Sequence, residues 1–401
     1  MSYNNSIEKL LEIQEIFENQ IENIGENKEI HITLKRKEHI CPCCGHKTDK
    51  IHDYRFQRIK DIDILGKRLI IVLKKRRYRC PECGKRFYEE TPWLGRYARM
   101  TKRKIMTILE ELTKTVTYKF VAEENGVSPT TVTRIFDYVS YPHPKLPVAL
   151  SIDEFKGNTG GEKYNCIIAD PLNHKVLDIL PKRYDWYLTD YFLKHPKEER
   201  DRVQIFVSDM WKPYQNTAAN LFTKSKRVID KYHWCRQIVW AFERVRKDVQ
   251  KHLSKEYRIY FKHSRKLLLK PFDSLDDTDK QAVNVMLYVS PTLSTSYFYK
   301  EQFQKIICSD SRSKAKVLMD EWIEEVAYSD IKPMVDCAKT MKRWKNEILD
   351  SFTTSCTNGF IEGCNNKIKV LKRISYGCRN FNRFRNRILY IFSNQTTPML
   401  T

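Results

Sequence analysis

No hydrophobic run in the 401-residue chain is long enough to cross a bilayer. The longest uncharged stretch, Ala282 to Tyr299, is interrupted by Asn284, Ser290, Pro291, Thr292 and Ser294, so it cannot serve as a membrane span. No signal peptide opens the chain, and neither terminus carries a lipidation signal or a Lys-rich amphipathic helix. A basic membrane-surface protein is thereby disfavoured. Internal repeats and low-complexity segments are also lacking. Acid is the scarcest resource: Asp plus Glu number 50 against 72 Lys plus Arg, a net charge of +22, and no acid follows Glu362. Such a surface favours a polyanion, and nucleic acid is the leading partner. Hydrophobic residues at 41% and charged residues at 30% exclude bulk disorder, and the length implies two or three domains.

Twelve cysteines in a chain without an export signal imply a reducing, cytoplasmic setting, where paired cysteines hold metal more often than they form disulfides. Two pairs stand out, Cys41-Pro42-Cys43-Cys44-Gly45 and Cys80-Pro81-Glu82-Cys83-Gly84. Four thiolates from Cys41, Cys44, Cys80 and Cys83 suit one tetrahedral Zn²⁺ in a closed structural site. Cys43, His39 and His46 are spare donors nearby. Between the pairs, Asp53 to Asp63 and Lys67 to Arg79 read as two strands joined near Leu65-Gly66, a hairpin that would bring the pairs together. Ahead of them, apolar residues at helical spacing from Ile7 to Ile24 predict an N-terminal helical segment over 1–37, with a zinc-binding β module over 38–98.

The stretch 99–140 reads as a helix-turn-helix. Gly126 closes one helix, Ser128 caps the next and Pro129 occupies its first turn. Thr130, Thr131, Thr133 and Arg134 on that second helix are candidate base or phosphate contacts. Tyr141-Pro142-His143-Pro144-Lys145-Leu146-Pro147 can be neither helix nor central strand and marks a boundary. Strands follow at Val148–Phe155, Tyr164–Asp170, Lys175–Leu180, Val203–Ser208 and Arg227–Asp230. From His233 to about Asp350 the pattern is helical, and a helical tail runs from Asn358 to Phe392. These features predict a mixed α/β core, its first part over 147–245 and its last helices over 351–401, interrupted by an all-α insertion over 246–350.

Asp153 and Asp209 each end an apolar strand. Carboxylates at the ends of neighbouring strands can share hard divalent cations that keep positions open for water and phosphate. Glu362 stands on a helix with Asn365, Asn366 and Lys369 on its face, a polar, cationic surface apt for a phosphodiester. An Asp at a strand end also serves as an ordinary turn or cap residue, and Asp170 and Glu154 fit the same pattern.

At this point the chain resembles the ISL3 family of bacterial insertion-sequence transposases over nearly its whole length. The resemblance is carried by the two Cys pairs, the helix-turn-helix, Ser151-Ile-Asp153-Glu154-Phe155, Val207-Ser-Asp209-Met210, Asp230-Lys-Tyr-His233, Asn358-Gly-Phe-Ile-Glu362-Gly-Cys-Asn-Asn-Lys-Ile-Lys369, and Val370 to Phe381. Cys43 and Cys378 are minor departures. It implies a ribonuclease H-like core with the triad Asp153, Asp209 and Glu362 holding two Mg²⁺ or Mn²⁺ ions. His233 would lie beside the triad, although a histidine starting a helix can equally be a core residue. The implied activity is cleavage and strand transfer of double-stranded DNA at terminal inverted repeats, by an oligomer associated with the nucleoid. Lys367, Lys369, Lys372, Arg373, Arg383 and Arg385 would contact phosphates. Two rival readings are a catalytically inactive, transposase-derived DNA-binding regulator and a nuclease acting on RNA or hybrids.

Overall fold

The computed structural model describes residues 4–393 apart from 96, 262, 263 and 376; of the expected tail, 376 and 394–401 lie outside the described residues. The described residues divide into two compact units, one up to Ser140 and one from Tyr141 to the last of them.

The first unit opens with α1 (Asn4–Leu11), then β1 (Ile16–Ile24) and β2 (Asn27–Leu34). The helix expected over Ile7–Ile24 therefore stops at Leu11, and the 1–37 segment is mostly strand. Beyond Leu11, Glu12 and Glu15 adopt positive φ, and Glu8 accepts the Ile16 N–H at 2.7 Å, which turns the chain. From Ile16 the backbone hydrogen bonds go to β2 in antiparallel register, around the turn at Gly25. Apolar spacing misled because Phe17, Ile21 and Ile24 sit exposed on an edge strand; β2 supplies Ile30, Ile32 and Leu34 to the core instead.

The two short strands β3 (His39–Ile40) and β4 (Lys47–Thr48) flank the first Cys pair. The expected hairpin is β5 (Ile51–Lys60) and β6 (Arg68–Arg79), antiparallel. Its turn places Leu65 and Gly66 both at positive φ, the conformation that matches strand twist across a two-residue loop. β7 (Arg86–Tyr88) pairs with β6 beyond the second Cys pair, and the sheet order is β1-β2-β6-β5. Because β2 pairs with β6, the N-terminal segment is part of the zinc module's own sheet.

Three helices complete this unit: α2 (Lys102–Glu111), α3 (Tyr118–Glu124) and α4 (Pro129–Phe136). Gly126, at φ +61°, makes the turn between α3 and α4, and a Cβ there would collide with the Arg68 guanidinium. Arg68 donates to the Glu123 carbonyl at 2.7 Å and Lys60 to that of Gly126 at 2.5 Å, so strand residues clamp the turn.

In the second unit, β8 (Ala149–Phe155), β9 (Asn165–Asp170), β10 (Lys175–Leu180), β11 (Ile205–Ser208) and β12 (Lys226–Ile229) form one mixed sheet ordered β10-β9-β8-β11-β12. β10-β9-β8 are antiparallel, and β8-β11-β12 are parallel. Helices α5 (Asp185–Leu193), α6 (Lys197–Arg200) and α7 (Lys212–Leu221) lie between β10 and β12 in sequence. Strand alternation sends Leu150, Ile152, Cys166 and Ile168 to one side, against Leu188, Phe192, Tyr214 and Ala218 of α5 and α7. Ile167, Ala169 and Ile179 face the other side, against the last two helices of the chain.

After β12, every described element up to Thr353 is helical: α8 (Lys231–His252), α9 (Lys255–Arg258), α10 (Ser264–Leu269), α11 (Asp277–Val289), α12 (Pro291–Ile307), α13 (Arg312–Ala327), α14 (Lys332–Arg343) and α15 (Lys345–Asp350), with short 3₁₀ turns. Trp234, Phe242, Phe303, Trp322 and Met341 are central to their shared core. The expected boundary at 245/246 falls inside α8, which is unbroken because Trp234, Ile238, Ala241, Phe242 and Val245 form one buried stripe. The chain then returns to the sheet as α16 (Gly359–Ile374) and α17 (Phe381–Phe392). No helix among the described residues is long and apolar enough to cross a membrane.

Candidate functional site

The two Cys pairs form near-identical knuckles. Gly45 donates its N–H to the Cys41 carbonyl at 3.0 Å, and Gly84 donates to Cys80 at 3.1 Å. Cys41 and Cys80 in turn donate to the carbonyls of His46 and Lys85, both at 2.9 Å. Both glycines have positive φ, which turns each loop back over its sulfurs. The four sulfurs of Cys41, Cys44, Cys80 and Cys83 lie within 4.8 Å of one another, with Cys41–Cys83 and Cys44–Cys80 each at 3.5 Å. Bonds of about 2.3 Å to a tetrahedral zinc would set the sulfurs roughly 3.8 Å apart, so the donor set fits that ion. No disulfide competes, since all four are free. The spares stand outside this group: Cys43 and His46 are exposed, and His39 packs its ring 4.7 Å from that of Tyr78.

On the helix-turn-helix, Ser128 caps α4 by accepting the Thr131 N–H. The hydroxyls of Thr131 and Thr133 are engaged locally, with Ser128 Oγ and the Pro129 carbonyl, both at 2.9 Å. Thr130 and Arg134 are exposed and project from the helix surface.

In the second unit, a cleft of about 590 Å³ opens at the ends of β8, β11 and β12. Asp153, Asp209, Glu362 and His233 all line it, together with Glu154, Asp230, Arg236, Asn365 and Lys369. The sequence-expected acids thus converge from β8, the end of β11 and the first turn of α16. Within this group Asp153, Glu154 and Asp209 offer oxygens within 4.8 Å of one another. An all-oxygen donor set of this kind fits a hard divalent cation. Glu362 is exposed at the rim of the same cleft.

Each acid is held differently. Asp153 accepts the Asn365 amide at 3.1 Å and the Glu154 N–H at 2.8 Å; Asp209 accepts the Trp211 N–H at 3.1 Å. Glu154, on the opposite strand face, is bound by Arg183 at 2.5 Å and by the Tyr214 hydroxyl at 3.2 Å. Arg183 is itself stacked between the rings of Tyr164 and Trp211. Burial pushes the Asp153 carboxyl up to about 7, with the charges of Glu154 and Asp230 adding to the rise. Asp209 is likewise pushed to about 7 by burial, then by Glu154 and Asp153. Acids that repel one another at low solvation form a site a cation would discharge. Burial holds His233 below the ordinary imidazole range, which favours its neutral form.

The basic tail divides. Lys369 lines the cleft and Arg373 is exposed. Lys367 sits over the Phe392 ring at 5.0 Å, Lys372 donates to the Lys156 carbonyl at 2.9 Å, and Arg383 is half-buried. Arg385 turns inward, donating at 2.6 Å to Asp178, which is buried and also accepts from Tyr191. Arg385, expected to contact phosphate, is thus engaged by a strand carboxylate, a pairing that the burial of Asp178, on β10, favours. Sequence reasoning gave Asn365 to a phosphodiester-facing surface, Glu154 to an ordinary strand-end role and Asp230 only a place in a motif; the structure makes them the partner of Asp153, a member of the acid cluster and an anchor.

Carboxylates gathered where parallel strands end, in a chain that also carries a zinc ribbon and a helix-turn-helix, define a transposase. A family model described as a transposase of the DDE type matches residues 150–388, and the chain belongs to that family, ISL3. Residues 37–83 match the zinc-finger of transposases IS204/IS1001/IS1096/IS1165, and 89–140 match the helix-turn-helix domain of the ISL3 family. The transposase for insertion sequence element IS1001 of Bordetella parapertussis is 26% identical over 370 residues, covering 90% of each chain. A Lactococcus lactis subsp. lactis protein named "ATP-dependent protease" is 26% identical over 196 residues, 45% of this chain and 59% of that one. No Gly-Lys-Ser or Gly-Lys-Thr, the end of a phosphate-cradling loop, occurs in this sequence. The zinc-finger match and the four-cysteine cluster together support structural zinc, and the helix-turn-helix match supports DNA binding.

Proposed function

We propose that this protein is an active DNA transposase that recognises the terminal inverted repeats of its element and catalyses metal-dependent strand cleavage and strand transfer. The convergence of Asp153, Asp209 and Glu362 on one cleft carries this reading. The strand order, three antiparallel strands continued by two parallel ones, supports reading this unit as a ribonuclease H-like core interrupted by the helical block before α16. Asp153 and Asp209 would hold two divalent cations with Glu362. Bound there, Mg²⁺ or Mn²⁺ would activate water or a DNA 3′-hydroxyl and stabilise the leaving oxygen.

The chain's own residues prepare the rest. Asn365 fixes the Asp153 carboxylate, and Arg183 with Tyr214 neutralises Glu154 beside it. Lys369 and Arg236, both lining the cleft, are placed to meet the phosphates of the strand to be cut. The zinc ribbon and α4, through Thr130 and Arg134, would read the repeats, and joining two ends calls for an oligomer. The test is nicking of an oligonucleotide duplex carrying the element's end. Cleavage at the end in Mg²⁺, none when Mg²⁺ and Mn²⁺ are left out of the zinc-loaded protein, and none on a scrambled duplex is expected. A chain that binds the end tightly but never nicks it would instead be a DNA-binding regulator.

A further inference from the structure

Helix α8 leaves the cleft with its apolar face already spent. Trp234, Ile238, Ala241 and Phe242 are buried in the helical core, yet two more large aromatics stand on the solvent side. Tyr232 is 52% exposed and Trp240 46%. Between them, one turn from each, is Arg236, whose guanidinium lies 5.5 Å from the Tyr232 ring centre and 4.6 Å from that of Trp240. Arg244 continues the same face one turn further and is exposed. The one acid between Lys231 and Lys247, Glu243, is buried and paired with Arg246 at 2.6 Å. From Tyr232 to Arg244 the exposed face is therefore cationic and aromatic, Asp248 being the first exposed acid along it, and its first members, Tyr232 and Arg236, line the cleft.

Half-exposed rings, each flanked by the same guanidinium, suit a strand whose bases are unpaired. Within a duplex each base is covered by its neighbours, so only an unstacked base can offer a face to a side chain. Eight residues of helix separate the two rings by about 12 Å along the axis, room for more than one nucleotide with a phosphate at Arg236 between. Resting on the reading of the cleft as the place where a strand is cut, we propose that the Tyr232–Arg236–Trp240 face holds unpaired nucleotides of that strand. Tyr232 and Trp240 stack on bases, and Arg236 takes the phosphate between them.

The full zinc-loaded chain, with no Mg²⁺ or Mn²⁺ added so that nothing is cut, is titrated into a labelled thymidine oligomer and into an abasic oligomer of the same length. The two probes share phosphates and differ only in bases. Wild type should prefer the thymidine oligomer, and Trp240→Ala should lower that preference about tenfold or more without altering the salt dependence. Trp240→Phe should restore most of it. Arg236→Ala should weaken both probes and flatten the salt slope by about one phosphate. An unchanged preference in Trp240→Ala, or equal binding of both probes by wild type, overturns the inference while leaving end nicking untouched. A chain that binds neither these probes nor end duplex overturns the transposase reading as well.

Discussion

The carboxylate of Asp230 accepts the backbone N–H of Asn358 at 2.8 Å, joining the residue that starts α8 to the residue that starts α16. Its other oxygen accepts the Tyr232 N–H at 3.2 Å as the N-cap of α8. Asn358 in turn reaches the Ile152 carbonyl on β8 through its side chain, at 3.5 Å. Asp230 is thus a buried anchor that fixes Glu362, one turn into α16, relative to the strand that carries Asp153. Asp230→Ala loses a helix cap, worth about 1 kcal/mol, and a charged hydrogen bond worth about 1.5–3 kcal/mol. Chemical denaturation should show a loss of roughly 2–4 kcal/mol. Nicking should fall even at temperatures where the variant stays folded, because Glu362 loses its register.

Much of this was legible in the sequence because strong local signals agreed with the tertiary outcome. The β5–β6 turn could be read at Leu65-Gly66, and the α3–α4 turn at Gly126 and Ser128. What escaped depends on pairing across long separations. Nothing local distinguishes an edge strand such as β1, with Phe17 and Ile21 exposed, from an amphipathic helix until β2 is present to take its hydrogen bonds. Arg385 looked like any tail cation, and only the fold brings it to Asp178, on a strand far earlier in the chain. Glu154 reads in sequence as an ordinary strand-end turn or cap residue; alternation sends it to the opposite strand face from Asp153, yet at the strand end both carboxylates reach the same cleft.

Zinc binding should depend on four cysteines and not on the fifth. Changing Cys41, Cys44, Cys80 or Cys83 to Ser removes a thiolate from the cluster, and each variant should lose the metal and destabilise the strands around it. Cys43→Ser, exposed and outside the cluster, should keep about one zinc per chain, as closed structural sites do. Elemental analysis of purified protein decides this, and wild type purified without zinc from metal-replete cells would refute the site.

Arg385 and Arg373 should part ways. Arg385→Ala strands a buried Asp178, and breaking such a pair costs about 3–5 kcal/mol. Arg373 is exposed, so Arg373→Ala should leave stability unchanged while weakening repeat and random duplex alike and lowering the salt slope by about one. Thermal melts paired with binding isotherms at several salt concentrations separate the two. An Arg385→Ala protein of wild-type stability with weakened duplex binding would return that residue to the DNA surface.

The raised carboxyls of Asp153 and Asp209 should make the metal-free protein less stable as pH rises. Both titrate at about 7 when folded, against 3.8 for the free group, so above pH 4 the unfolded chain has released protons that the folded chain still holds. Stability contributed by the protonated acids is therefore lost progressively from about pH 4 through about pH 7. The Asp153→Asn, Asp209→Asn double variant removes both groups and should lose less stability than wild type over that range. Mg²⁺ added at pH 8 should raise the melting temperature of wild type and not of the variant. Parallel pH profiles for the two proteins would remove the electrostatic basis of the site.

The last prediction concerns which glutamate completes the site. By distance the third member of the acid cluster is Glu154, not Glu362. Glu154 is already committed, however, with Arg183 on one oxygen and the Tyr214 hydroxyl on the other. Glu362 is exposed at the cleft rim, and among the described residues no ion pair holds its carboxylate, so it is free to swing toward a cation. Glutamine keeps the size and removes the charge. Glu362→Gln should fold, bind end DNA as wild type does, and nick it in Mg²⁺ only at background. Glu154→Gln should retain measurable nicking while melting at lower temperature, because Arg183 loses its ionic partner. Glu347→Gln, whose glutamate on α15 pairs with Arg227 on β12 at 3.3 Å, should nick normally. If Glu362→Gln nicks at close to the wild-type rate while Glu154→Gln is inert, the roles are reversed: Glu154 is the third ligand, and Arg183 must release it when metal binds.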